Sequence, residues 1–405
     1  MNFFRKIKHE LNYLKWEDIG QIFVFVISLI PALCYKVYIY FTKRKIWLIC
    51  EDRNGANDNG FCFFTYLNKY QPQIESFYAI DYSSVAFERV SKIGKTVKYG
   101  SFMHWILYFA CEYNISTQKS GKPNGAICYV LEVFGIIKSK FVFLQHGITL
   151  SKADWLFYNN TKMRLFICGA KPEYDYIRDN FGYPEENLAF LGFCRFDEYH
   201  TIRPNKKQIV LMPSWREWIA SKNEYSSIYE DTSDFTKTEY YQKYQSLINN
   251  PELANFLEKN NLTMFFYPHR NMQKYIHYFS AASSRIQIVT NENSSIRALL
   301  MDSAVMITDY SSVALDFAYM KKPVIYYQFD EKRFREAQYA EGYFSYRNSG
   351  LGVVCEEEKQ VVAELEQIYL SDLCMSERFE QAHSAFFPLC DDRNNERTYK
   401  AISQL

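Results

Sequence analysis

From residue 46 onward, short runs of β-branched and aromatic residues alternate with longer amphipathic stretches. The runs Ile46–Cys50, Ser76–Asp81, Tyr113–Thr117, Phe141–Gln145 and Arg164–Cys168 form a first series of predicted strands. A second series comprises Gln208–Met212, Leu262–Tyr267, Arg285–Thr290, Ala304–Thr308, Pro323–Tyr327 and Gly352–Cys355. Such near-continuous apolar strands, separated by helical segments, predict parallel sheets covered on both faces. Two series predict an α/β protein of two Rossmann-like, doubly wound domains facing a cleft. The polar breaker Arg203-Pro-Asn-Lys-Lys207 marks the seam, giving domains at 46–203 and 204–405. Ser221–Thr238 reads as an irregular excursion, and the stretch from Glu356 as helices.

Residues 1–45 break this pattern. They hold eight Lys or Arg (5, 6, 8, 15, 36, 43, 44, 45) against the acids Glu10, Glu17 and Asp18. Between the charges runs Ile22–Tyr35, about fourteen apolar residues where a crossing helix needs about twenty. Pro31 and Lys36 interrupt it further. The expectation is a monotopic or re-entrant membrane-associating helical segment, with Lys43-Arg44-Lys45 meeting anionic headgroups. A buried core helix is the alternative.

Composition narrows the functional classes. The 405 residues are 48% hydrophobic and 23% charged, with only 15 Gly and 11 Pro, which excludes disordered and low-complexity architectures. A net charge of +1 excludes a global field for nucleic acid. Ten cysteines are scattered singly, mostly within apolar runs, without CxxC or zinc-ligand spacing, so buried thiols are expected and no zinc site; no cofactor is expected.

Chemistry-bearing residues cluster where predicted strands end. Gln145-His146-Gly147 places an imidazole after a strand, and His can take a proton from a hydroxyl near neutral pH. Gly147 permits a tight turn or close ligand approach there. Ser214-Trp215-Arg216 offers a hydroxyl and a guanidinium able to grip phosphate oxygens. Tyr267-Pro268-His269-Arg270 ends an apolar strand in two cations suited to an anion. Thr308-Asp309-Tyr310-Ser311-Ser312, followed by Asp316, reads as strand, hydroxyl-rich turn and helix start, with Asp309 as N-cap. Free N–H groups and hydroxyls there would hold phosphate without a glycine-rich loop.

In order and spacing these four motifs resemble the CDP-glycerol glycerophosphotransferase family, which includes teichoic acid glycerophosphate primases and polymerases. Trp47-Leu-Ile-Cys-Glu-Asp-Arg53 with Asp58-Asn-Gly60 also resembles the N-terminal region of membrane-associated members. The resemblance implies a GT-B-like fold, and transfer of an alditol phosphate from CDP-glycerol or a related CDP-alditol to a lipid-linked or polysaccharide acceptor, with CMP released. It implies a cell-membrane location, peripheral or monotopic on the cytoplasmic face. It places the base on His146 and a leaving-group contact on His269. Ser214, Arg216, Arg270, Thr308, Ser311 and Ser312 would be donor-phosphate contacts, with Gly147, Asp309 and Asp316 in support and Asp309 orienting the loop. The first motif departs from the Trp-His-Gly-Thr-Pro of the polymerases, which leaves single addition and polymerisation both open. A sugar-nucleotide glycosyltransferase or epimerase, and a non-catalytic membrane scaffold, remain open as alternatives.

Overall fold

The computed structural model describes residues 16–220, 234–290, 292–348 and 350–405. The basic residues of the first fifteen positions, and 221–233 of the predicted excursion, lie outside them. Two compact units are formed. The first contains residues up to His146, Ala153–Asp197 and Asp391–Leu405, and the second Gly147–Lys152 and Glu198–Cys390.

The first unit is built on seven parallel strands: β1 (Lys45–Cys50), β2 (Ile74–Ile80), β3 (Lys95–Lys98), β4 (Tyr113–Ser116), β5 (Phe141–Phe143), β6 (Leu165–Cys168) and β7 (Leu188–Phe190). Their spatial order is β3-β2-β1-β4-β5-β6-β7. Both faces are covered, as the apolar strand composition requires. In β1, Trp47 and Ile49 face a core with Phe63, Phe64 and Tyr78, whereas Ile46, Leu48 and Cys50 face a second core with Trp105 and Leu107. That alternation is the two-residue period of a strand buried on both sides.

The second unit carries β8 (Asn205–Leu211), β9 (Thr263–Phe266), β10 (Ile286–Ile288), β11 (Ser303–Thr308), β12 (Val324–Tyr327) and β13 (Val353–Cys355). Its order is β10-β9-β8-β11-β12-β13, again all parallel. The order reverses between β8 and β11, and in doubly wound sheets ligands bind beyond the strand C-termini at such a switch point. All eleven predicted strands are present, with ends shifted by up to three residues. Strands β3 and β7 are additional.

One difference from the sequence expectation has a physical cause. The boundary lies at 197/198, and residues 391–405 return to the first unit. Helix α2 (Asn394–Ser403) is tied there by Asp197, whose carboxylate accepts from the backbone N–H of Asn394 (2.7 Å) and Asn395 (3.0 Å). Its Tyr399 ring lies 5.8 Å from Trp47. The predicted anchor, in turn, is one continuous helix, α1 (Trp16–Thr42), running through Pro31 and Lys36. At 27 residues it is about 40 Å long.

One face of α1 is glued to the first unit along most of its length. Gln21 bridges Gly100 O (3.1 Å) and the Trp105 indole N–H (2.9 Å), and the Phe25 ring lies 5.4 Å from Trp105. Ser28 and Ala32 are buried, and Tyr35 and Ile39 pack on the same core. The other face exposes Phe23, Ile27, Ile30, Leu33, Val37, Tyr40 and Phe41. The helix is therefore not a core element, since among the described residues only one side is packed.

Candidate active site

Within the second unit, four adjacent strands deliver polar residues from their C-terminal ends. They are β9, β8, β11 and β12, which straddle the switch point. The loops are stitched directly to one another: Met212 N–H donates to Ile307 O (2.8 Å), Tyr267 N–H to Leu211 O (2.8 Å) and His269 N–H to Pro213 O (3.0 Å). The predicted residues Ser214, Arg216, His269, Arg270, Asp309, Ser311 and Ser312 lie on these loops, and Thr308 ends β11.

Arg216 is turned inward, away from the loop surface where a phosphate contact was expected. It is fully buried (0% exposed). Its Nε and Nη2 donate to Asp330 Oδ2 (2.6 Å) and Oδ1 (3.0 Å), while Nη1 reaches Ser214 Oγ (3.2 Å) and pairs with Asp309 Oδ2 (2.9 Å). Desolvation opposes its charge, but the Asp330 and Asp309 carboxylates outweigh that and hold the guanidinium well above its ordinary pKa. Sequence shows a cation at a strand end, but not that two carboxylates enclose it.

Thr308 is also redirected. It is buried, and its hydroxyl donates to Met212 O (2.6 Å), welding β11 to the end of β8. Asp309 does not cap the following helix. Its Oδ1 accepts from Ser214 N–H (2.9 Å) and Tyr310 N–H (2.6 Å), and its Oδ2 accepts from the Tyr244 hydroxyl (3.0 Å). The carboxylate therefore orients the loop. Asp316 is buried and accepts from the Tyr199 hydroxyl (3.2 Å), a supporting contact away from the loop.

Four predicted residues remain available at the surface of this group. Ser311 and Ser312 are half-buried. Ser311 Oγ accepts from Val313 N–H (3.3 Å), and Ser312 caps the helix Val313–Tyr319 through its backbone, with no capping bond from its hydroxyl. Arg270 is exposed at the start of a 3-10 helix, next to half-buried His269. Gly147 belongs to this unit, and a Cβ built on it would lie 3.1 Å from Ser312 Oγ, so any side chain there would press on that hydroxyl.

His269 differs electrostatically from the expected cation. Burial, then Arg270, lower its pKa to about 4, with Asp309 opposing. Its Nδ1 accepts from Asn271 N–H (3.2 Å), so the neutral ring carries its proton on Nε2. The ring stacks on Trp215 at 6.3 Å and 26°. His269 is thus a hydrogen-bond donor, and Arg270 is the cation of this loop.

In the first unit, His146 is exposed just beyond β5, which stops at Phe143 rather than continuing to Gln145. Gln145 ends the strand because it takes a left-handed backbone, φ 57°. That reversal turns the following side chain away from the buried run Phe141–Gln145.

Sequence reasoning passed over Gln328 and Asp330, which also belong to the switch-point loops. Gln328 Nε2 donates to Asp309 O (2.8 Å), and Asp330 holds Arg216 and accepts from the Tyr310 hydroxyl (3.1 Å). Two polar residues ending the apolar run Val324–Tyr327 are the signal that could have found them.

Comparison with known proteins agrees with this architecture. The family model of CDP-Glycerol:Poly(glycerophosphate) glycerophosphotransferase matches residues 33–404. The minor teichoic acid biosynthesis protein GgaB of Bacillus subtilis strain 168 is 31% identical over 383 residues, covering 93% of this chain and 42% of that protein. The teichoic acid poly(glycerol phosphate) polymerase of the same strain is 28% identical over 107 residues, 26% of this chain and 14% of its own length. The chain thus spans less than half the length of these curated relatives. Among solved structures, the wall teichoic acid polymerase TagF superposes with TM-score 0.59 at 14% identity, covering 96% of this chain and 98% of that one. A UDP-GlcNAc 2-epimerase from Neisseria meningitidis gives 0.54 at 9%, covering 89% and 100%. Two parallel doubly wound sheets with these likenesses make the fold GT-B-like. With the family model matched from residue 33 to 404, the chain belongs to the CDP-glycerol:poly(glycerophosphate) glycerophosphotransferase family.

Proposed function

We propose that the protein transfers glycerol phosphate, or a related alditol phosphate such as ribitol phosphate, from its CDP-alditol to a hydroxyl of a lipid-linked or polysaccharide acceptor in teichoic acid or capsule-type polymer synthesis. The observation that carries this reading is the convergence of Ser214, His269, Arg270, Ser311 and Ser312 on loops at the β8/β11 switch point, in a chain of this family. A structure of TagF soaked with CDPG shares the fold (TM-score 0.61, 15% identity, 96% and 99% coverage).

In this mechanism the second unit holds the donor. Ser311, Ser312 and Ser214 offer hydroxyls to the diphosphate, Arg270 offers positive charge, and His269 Nε2–H donates to an oxygen on the leaving CMP. Arg216, Thr308 and Asp309 shape the loops from beneath. His146 removes the proton of the acceptor hydroxyl as its oxygen attacks the alditol-bearing phosphorus. The phosphorus–oxygen bond to CMP breaks, and CMP leaves with the electron pair. Such transfer depends mostly on positioning and charge stabilisation.

The exposed face of α1 supports membrane association in the plane of one leaflet. A helix crossing the bilayer alone would be surrounded by lipid, whereas α1 has one side occupied by the first unit from Gln21 to Ile39. Its apolar side would sit in the headgroup–acyl boundary at the cytoplasmic face.

The deciding experiment incubates the protein and acceptor-bearing membranes with CDP-glycerol, CDP-ribitol and UDP-sugars, reading nucleotide release and product. CMP release with alditol phosphate on the acceptor is expected. The likeness to a UDP-GlcNAc 2-epimerase favours a sugar-nucleotide enzyme as the second reading. Turnover of a UDP-sugar without either CDP-alditol would replace the first reading by the second.

A further inference from the structure

The turn that presents His146 is held by side chains that touch no predicted ligand. Gln145, 2% exposed in its left-handed conformation, sends Nε2 to Ile167 O (2.8 Å) and Glu173 Oε1 (3.1 Å). Glu173 is itself buried, and its Oε2 accepts from Gly169 N–H (2.7 Å). The turn is thereby pinned to the end of β6.

A second hold comes from the start of the helix Asn59–Tyr70. Asn59 is fully buried, and its Nδ2 donates to Gln145 O (2.8 Å) and Leu144 O (3.3 Å). Its Oδ1 accepts from Arg195 N–H (3.0 Å). The amide thus joins three backbone groups, two of them in the two residues preceding His146. No apolar side chain could do this, and an aspartate would set a carboxylate against two carbonyl oxygens.

Asn59 is fixed in turn by Glu51. That buried carboxylate follows β1 and accepts from the N–H groups of Asn57, Asp58 and Phe61, each at 2.8 Å. The loop wraps it so closely that a Cβ on Gly60 would lie 2.9 Å from Glu51 Cγ. Arg195 closes the arrangement by pairing with Asp58 (2.8 Å).

From this geometry we infer that Asn59 is a positioning residue for the transfer: it holds the backbone of Leu144 and Gln145 so that the His146 imidazole meets the acceptor hydroxyl. The inference rests on the reading of His146 as the base. Displacing a reacting group by about 1 Å can cost on the order of 100-fold in rate, which is the scale at issue.

The test uses Asn59→Asp, which keeps volume, and Gln145→Gly, which removes an anchoring amide while relieving the left-handed backbone. Each is expected to lower kcat about 10- to 100-fold with KM for CDP-glycerol within about twofold. Amide hydrogen exchange at residues 145–148 should accelerate, with exchange at 309–313 unchanged. In a His146→Ala background, Asn59→Asp should slow turnover no further.

The inference is overturned if Asn59→Asp and Gln145→Gly leave both kcat and exchange at 145–148 as in the parent. An undiminished further loss in the His146→Ala background overturns it as well. His146→Ala alone separates the underlying reading: undiminished turnover there removes the base assignment, while the exchange data still decide whether Asn59 holds the turn. If Asn59→Asp does not fold, Gln145→Gly carries the same comparison.

Discussion

Arg216 and Asp330 form a buried two-point ion pair, Nε to Oδ2 at 2.6 Å and Nη2 to Oδ1 at 3.0 Å. Removing one member of a buried pair leaves the other charge uncompensated, which typically costs about 3–5 kcal/mol. Arg216→Ala should therefore destabilise the second unit by about that amount in urea denaturation, and Asp330→Asn should also destabilise it. If Arg216→Ala instead keeps full stability and only weakens donor binding, the guanidinium is a ligand after all.

Ser311 and Ser312 should act on donor affinity instead. Hydrogen bonds to a charged group contribute roughly 1.5–3 kcal/mol, so each change to Ala should raise KM for CDP-glycerol about 10- to 100-fold. Melting temperature should move little, because the Ser312 hydroxyl makes no capping bond and Ser311 Oγ holds a single N–H at 3.3 Å. Unchanged KM in both variants would separate this turn from the diphosphate.

His269 predicts a proton linkage. With its pKa lowered to about 4, the folded protein keeps the ring neutral where an unfolded chain would protonate it below about 6.5. Its share of stability is therefore complete above about pH 6.5 and is lost as pH falls toward 4. An arriving diphosphate favours the charged ring, so donor binding near pH 5.5 should take up protons, measured by calorimetry in buffers of different ionisation enthalpy. His269→Gln should abolish that uptake, and an unchanged uptake in this variant would assign the proton elsewhere.

Membrane attachment should depend on one side of α1. Glutamate at Phe23, Ile30 and Leu33 removes three exposed apolar groups, each contributing roughly 1.5–3 kcal/mol when buried. The triple variant should move to the soluble fraction in flotation assays with its near-ultraviolet circular dichroism intact. Retention on membranes would mean that this face is not what meets the lipid.

How much of this was visible in the sequence depends on what burial does to each residue. The apolar strands announced themselves, because a parallel sheet covered on both faces needs uninterrupted runs. Strand β3, Lys-Thr-Val-Lys at a sheet edge, and the three-residue β7 carry too little apolar signal to stand out. The helical character of the N-terminal segment was legible, and packing on Trp105 and its neighbours sustains α1 through Pro31. The motif loops were legible as positions but only partly as roles. Arg216 and Thr308 have side chains suited to phosphate, yet their partners Asp330 and Met212 are distant in the chain and turn both inward. Asn59 carries no role legible in the sequence, because its bonds to Gln145 and Arg195 join segments 86 and 136 residues away.

The return of α2 to the first unit orders events during synthesis. Tyr399 and its neighbours leave the ribosome only after all of the second unit has been made, so Trp47 and the aromatic surface around it wait uncovered through that interval. A nascent chain in that condition exposes a sticky half-domain to its surroundings, a natural client for a holdase. Truncations that spare every motif of the candidate site but remove α2 should therefore fail by aggregation.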